Sequence, residues 1–420
     1  MSVQRRTACL IFDVTVGVDP DWALGPLPMQ AVPPKAQISL LPSSAYGVER
    51  LSYFEERVSE VLYGSHSKPA RWHLITTNRL GACSVFGLEL LRLPPSLGAS
   101  GAGIAIIHLE LTESPVEALA EVANLSAPDA DEGSNWLKIA ELFPQDVKLA
   151  PGRRRAHTIA HLTFSDSPIP IMGENYANWR AIDQWLWLLA SATPVSSFPP
   201  DPDDEDLFRG RLCFSRDWQC LVLRNGTAFV GLTPDDGSGH TFHAFAQEYV
   251  HSIYLDVFIL GWMQRVALNK MANEIARVRP HRMAAGVLAE LEFRLADMRS
   301  ILWSSHVTLQ GKGNELLAQF QEQNRLPELF SSIVADLEHS GRLVQAVTSR
   351  RLNSALGLLT VVGLPFGIAF AAGQLWNDGG VGLVVMWTLA AVVVAVILFV
   401  VIPPVRGMLQ PALRRPSESE

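Results

Sequence analysis

Up to about position 240, apolar residues come in short bursts with two different periods. The segments 71–94 (RWHLITTNRLGACSVFGLELLRLP) and 103–112 (GIAIIHLELT) are dense in β-branched and apolar residues between Gly and Pro, which predicts strands. The alternating stretch 156–164 (AHTIAHLTF) predicts another. By contrast, 114–127 and 174–193 place apolar and aromatic residues three and four apart, as helices do. Ser114 before Pro115 suits a helix cap and first helical position. Residues 217–233 read as two strands joined at Asn225-Gly226, a dipeptide that tolerates a tight turn. The Pro and acid run 196–210 has no period and predicts an exposed loop. Interleaved strands and helices make residues 1–240 an α/β domain.

From 241 onward the spacing becomes helical throughout. One long helix is expected from 241 to Arg279-Pro280, since the residue before a proline disfavours helix. A second spans roughly 281–309. A third begins near Asn314, restarts at Pro327 and runs on into apolar sequence. Residues 241–350 are therefore expected as a stalk of long helices.

Two uncharged runs close the pattern. No charged residue occurs from Leu352 to Asn377, and after Asp378 none occurs until Arg406. About 20 helical residues cross a hydrocarbon core of about 30 Å. The expectation is a two-helix transmembrane hairpin over 351–405, with spans at about 356–373 and 381–402. Arg342, Arg350 and Arg351 precede the pair, Arg406, Arg414 and Arg415 follow it, and the loop between carries no cation. The positive-inside rule then puts both termini, including the tail 406–420, in the cytoplasm of a multi-pass protein of the inner (plasma) membrane. The start "MSVQRRTACLIFDV" has no long apolar core and no cleavage site, so no signal peptide is expected there.

Composition narrows the function classes. The chain of 420 residues is 48% hydrophobic and 18% charged, with a net charge of −8 that argues against nucleic-acid binding. Cys9, Cys83, Cys213 and Cys220 are scattered with no CxxC, which suits buried small hydrophobes better than a disulfide or zinc. Enzyme signatures are weak. His157 and His161 in HTIAH lack the Glu of a zinc protease, and GKGNE (311–315) lacks the upstream Gly of a phosphate loop. No nucleophile elbow or dinucleotide fingerprint occurs, so no catalytic residues are assigned and no enzyme is expected. Acid-rich loops at Asp129, Asp131 and Glu132 and at 201–206 are either hydrated or hold a hard divalent cation, the second through Asp203, Asp204 and Asp206.

The first span has one face of small or polar residues: Asn353, Gly357, Thr360, Gly363, Gly367 and Ala371, ending at Gln374. That face would either let helices approach closely or line an ion path. Gln374, Asn377 and Asp378 would then ring the outer mouth. Two spans cannot enclose a pore, so conduction implies a homo-oligomer in membrane lipid.

This architecture, and the segment LTVVGLPFGIAFAAG (359–373), resemble the CorA family of pentameric transporters of magnesium and related divalent cations. The resemblance implies a homopentamer, Mg²⁺ as transported or regulatory ion, and gating from the cytoplasmic domain, with no other cofactor. The chain departs from the family's Gly-Met-Asn signature, because Gly373 is followed by Gln374 and Leu375. The expected function is a CorA-like cation channel. The alternative is a membrane-anchored sensor or effector whose cytoplasmic domain binds a signal molecule without transporting metal.

Overall fold

The computed structural model describes residues 3–17, 20–32, 50–65, 67–94, 101–125, 135–143, 146–150, 155–201, 203–239, 241–277, 285–303 and 306–375, together with 385, 386, 389 and 393. The chain divides into two compact units. The first comprises Met1–Glu274 and Glu290–Val334, the second Ile275–Ala289 and Ala335–Glu420.

The first unit is built on a nine-stranded mixed sheet. Its strands are β1 (Val3–Val16), β2 (Arg71–Leu80), β3 (Cys83–Arg92), β4 (Ala102–Glu110), β5 (Val147–Leu149), β6 (His157–Phe164), β7 (Arg211–Ser215), β8 (Trp218–Leu223) and β9 (Gly226–Gly231). The spatial order is β2-β3-β4-β1-β6-β9-β8-β7, with β5 pairing the end of β1. Every pairing is antiparallel except β6 with β9.

Helices cover both faces, so the central strands are buried on both sides and read as nearly continuous apolar runs. On one face, Leu10, Phe12, Leu88, Ile107 and Leu162 pack against α2 (Pro115–Val122), α3 (Asn135–Leu142) and α4 (Ala181–Ser191). A shorter helix, α1 (Glu56–Tyr63), precedes β2. Against the other face lie α5 (Phe242–Val250), α6 (Ile253–Arg277) and α8 (Gly311–Gln323), with α7 (Ala285–Ile301) between the last two in sequence. There His157 meets the rings of Phe258, Trp262 and Phe320, and Phe229 stacks on Tyr254 at 5.9 Å.

Three element boundaries differ from the sequence pattern. The hairpin β8–β9 turns on Arg224 and Asn225, and Gly226 opens β9. A Cβ at Gly226 would come within 2.6 Å of the Ala190 carbonyl, so this glycine serves close approach of α4 to the sheet. The helix expected over 241–279 is two helices, broken at His251–Ser252. The break before Pro327 falls at Arg325, whose φ is 52°, and α9 runs from Leu326 to Leu375.

The expected transmembrane hairpin is corrected. Among the described residues no helix is long and apolar enough to cross a membrane. The span expected at 356–373 is part of α9, and most of the span expected at 381–402 lies outside the described residues. With the hairpin go the expected multi-pass inner-membrane location and the channel assignment built on it.

Candidate metal centre

The antiparallel register of β1 and β4 sets Cys9 directly opposite His108. Residues opposite one another share a face and bring their side chains together. This is the face covered by α5 and α6, because the neighbouring positions Ala8 and Leu10 point into the core on the other side. The third member arrives from far along the chain. His251 caps the C-terminus of α5, its N–H donating to Gln247 O at 3.1 Å. The next residue fixes the corner between α5 and α6: Ser252 Oγ donates to Glu248 O at 2.6 Å, and Asp256 N–H to Ser252 O at 3.0 Å.

The three donor atoms touch one another. Cys9 Sγ lies 3.5 Å from His108 Nδ1 and 3.1 Å from His251 Nδ1, and the two Nδ1 atoms are 3.0 Å apart. All three residues are buried. Ligand bonds of about 2.0–2.1 Å to nitrogen and 2.3 Å to sulfur in a tetrahedral site give edges of about 3.3–3.6 Å. The triangle is thus within a few tenths of an ångström of what one cation requires.

At most two hydrogen bonds can hold the triangle together. His108 Nε2 is 2.9 Å from Glu89 Oε1 and takes the proton of that ring to reach it, leaving Nδ1 a bare acceptor. The Cys9 thiol and the His251 ring then supply at most two protons for three mutual contacts. A central cation satisfies all three at once. Protonation favours the same chemistry: burial above all holds both His108 and His251 below the ordinary imidazole value, so the rings are neutral and offer lone pairs. Burial, reinforced by Glu89, pushes the Cys9 thiol well up, so without a cation it keeps its proton. A bound metal would displace that proton, as thiolate ligation requires.

Behind His108 lies a buried ionic cluster. Glu89 Oε2 accepts from Arg71 Nε at 2.7 Å, and Arg71 Nη1 donates to Asp256 Oδ1 at 2.5 Å. Asp256 also accepts from Arg50 Nε at 2.5 Å, Arg50 Nη2 at 2.9 Å and Tyr63 Oη at 2.6 Å. Two guanidiniums and two carboxylates cancel, which is the condition for burying four charges together. Burial alone would raise the Glu89 pKa. Arg71 and Arg50, helped by the His108 hydrogen bond, outweigh it and hold the carboxyl well below its usual range.

The sequence-derived candidates fall elsewhere. Asp204 caps a short 3-10 turn at Glu205–Phe208, Asp206 pairs with Arg209 at 2.6 Å, and the Asp203 N–H donates to Asp201 Oδ1 at 3.0 Å. These carboxylates organise a loop, and among the described residues the donor set close enough to hold a metal is Cys9, His108 and His251. Asn353, Gly357, Thr360, Gly363, Gly367, Ala371 and Gln374 all lie on α9, while Asn377, Asp378, Asp129, Asp131 and Glu132 lie outside the described residues. Neither His157 nor His161 belongs to the close donor set: His157 lies among aromatic rings, and His161 is edge-on to Trp218.

The centre was missed because its ligands are separated by 99 and 143 residues and form no local spacing. The signal available was a Cys or His, able to ligate a metal, inside each of three largely apolar stretches: TACLIF, AIIHLEL and YVHSIY. No family model, curated protein or solved structure matches the chain.

Proposed function

We propose that this chain is a metal-binding protein whose sheet unit closes around one borderline d-block cation, with Zn²⁺ as the ion that fits the donor set best. The observation that carries this reading is the triangle of Cys9 Sγ, His108 Nδ1 and His251 Nδ1, with edges of 3.0–3.5 Å. One thiolate and two neutral imidazoles are ligands typical of zinc, whereas Mg²⁺ and Ca²⁺ take oxygen. Three protein ligands leave a fourth position for water or another small donor. In this reading the ion clamps β1, β4 and the α5–α6 corner together, and the signal that a sensor would bind is the ion itself.

The test is elemental analysis of the full chain after expression with supplemented zinc, and again after chelation and reconstitution with Zn²⁺. One zinc per chain is expected, lost on Cys9→Ser. A chain that carries no stoichiometric metal and takes up none on reconstitution overturns the reading.

A further inference from the structure

The two histidines of the centre are held differently. His251 Nε2 is buried and has no hydrogen-bond partner among the described residues. His108 Nε2 faces Glu89 Oε1 at 2.9 Å, and both residues are fully buried. A neutral imidazole carries one proton, so the partner of one nitrogen decides what the other can do. A carboxylate accepts only, so the proton between these residues belongs to Nε2 and the lone pair to Nδ1.

We propose that, within the metal-binding reading above, Glu89 is the positioning residue of the centre: by accepting the Nε2 proton of His108 it commits Nδ1 to the cation. Register makes this possible. Glu89 on β3 pairs with Ile106 on β4, two residues from His108 on the same face. The carboxylate cannot swing away, because its other oxygen accepts from Arg71 at 2.7 Å, and Arg71 is tied in turn to Asp256 on α6. Arg50 completes the frame, anchored to Leu27 O at 2.9 Å and 3.8 Å from Glu89 Oε1. The geometry is that of a carboxylate–histidine–metal relay, in which the carboxylate sets tautomer, ring orientation and ligand basicity. The buried cluster thereby acquires a use beyond mutual neutralisation: it holds one carboxylate oxygen on the far side of a ligand ring.

The experiment uses the full chain, stripped by chelation and titrated with Zn²⁺ against a competing chromophoric chelator. Glu89→Gln is expected to weaken zinc binding about 10- to 100-fold. Nitrogen-15 spectra of histidine-labelled, metal-free wild type provide a second reading that needs no variant. There His108 is expected as the Nε2–H tautomer, with Nδ1 unprotonated. Zinc bound equally well by wild type and a folded Glu89→Gln variant overturns this inference alone. So does a His108 Nδ1–H tautomer, even if the variant fails to fold. Failure of the wild type to bind zinc at all overturns the metal reading and this inference with it.

Discussion

His161 lies on β6, fully buried, and neither ring nitrogen has a hydrogen-bond partner among the described residues. Burial, then the neighbouring His243 and Arg5, push its pKa from the ordinary 6.5 down to about 3. The folded state therefore refuses a proton that the unfolded chain accepts once the pH drops below about 6.5. A depressed folded-state pKa means that this group's contribution is complete above that pH and is lost as the pH falls towards 3. The slope from one such group is about 1.4 kcal/mol per pH unit. Urea unfolding at pH 7, 6 and 5 should show stability falling, and His161→Gln should flatten the profile by about one proton. Parallel profiles for wild type and variant would refute the assignment. Single residues also mark the limit of pattern reading: of the four cysteines expected to be buried, Cys9, Cys83 and Cys220 are and Cys213 is exposed, and the contact of Cys9 with two histidines is invisible locally.

Between elements, α6 approaches α8 closely at Gly261. A Cβ added at Gly261 would come within 2.4 Å of the Phe320 ring, which is fully buried and also packs on Phe258 and His157. Alanine has a helix propensity about 1 kcal/mol better than glycine. Overpacking a filled core costs about 1–3 kcal/mol. Gly261→Ala should therefore destabilise the protein by up to about 2 kcal/mol, read as a lower urea midpoint at unchanged slope. A rise in stability would mean that the ring yields freely. Glycine within a long helical pattern was visible in the sequence, but its reason was not, because Phe320 is 59 residues away. The break between α5 and α6 was hidden for a related cause. Neither His251 nor Ser252 is a strong helix breaker, and the His251 side chain at the corner meets residues of distant β1 and β4.

At the scale of the sheet unit, the centre joins residues 9, 108 and 251, so a bound ion would close two very long loops of chain. Binding that exists only in the folded state stabilises it by mass action, about 2.7 kcal/mol at a free ion concentration 100 times Kd. Calorimetry with buffered Zn²⁺ should raise the melting temperature of this unit in a concentration-dependent way, and chelator should reverse it. A melting temperature indifferent to both would contradict a role for the ion in holding the unit together.

By itself the sequence determined the local alternatives. Periods of two and of 3.6 placed strands at 71–94, 103–112 and 156–164 and helices from 241 onward, because side-chain burial repeats with backbone geometry. Uncharged length suggested a membrane hairpin, but a run of residue types does not measure the apolar helix actually formed, and none of the required kind is present among the described residues. Only the tertiary structure decided the strand order and the antiparallel register that sets Cys9 against His108. It also decided the corner that carries His251 to them and the carboxylate behind His108. The physical reason is distance along the chain: a ligand set drawn from three remote stretches has no period and no spacing, and exists only once the sheet has closed.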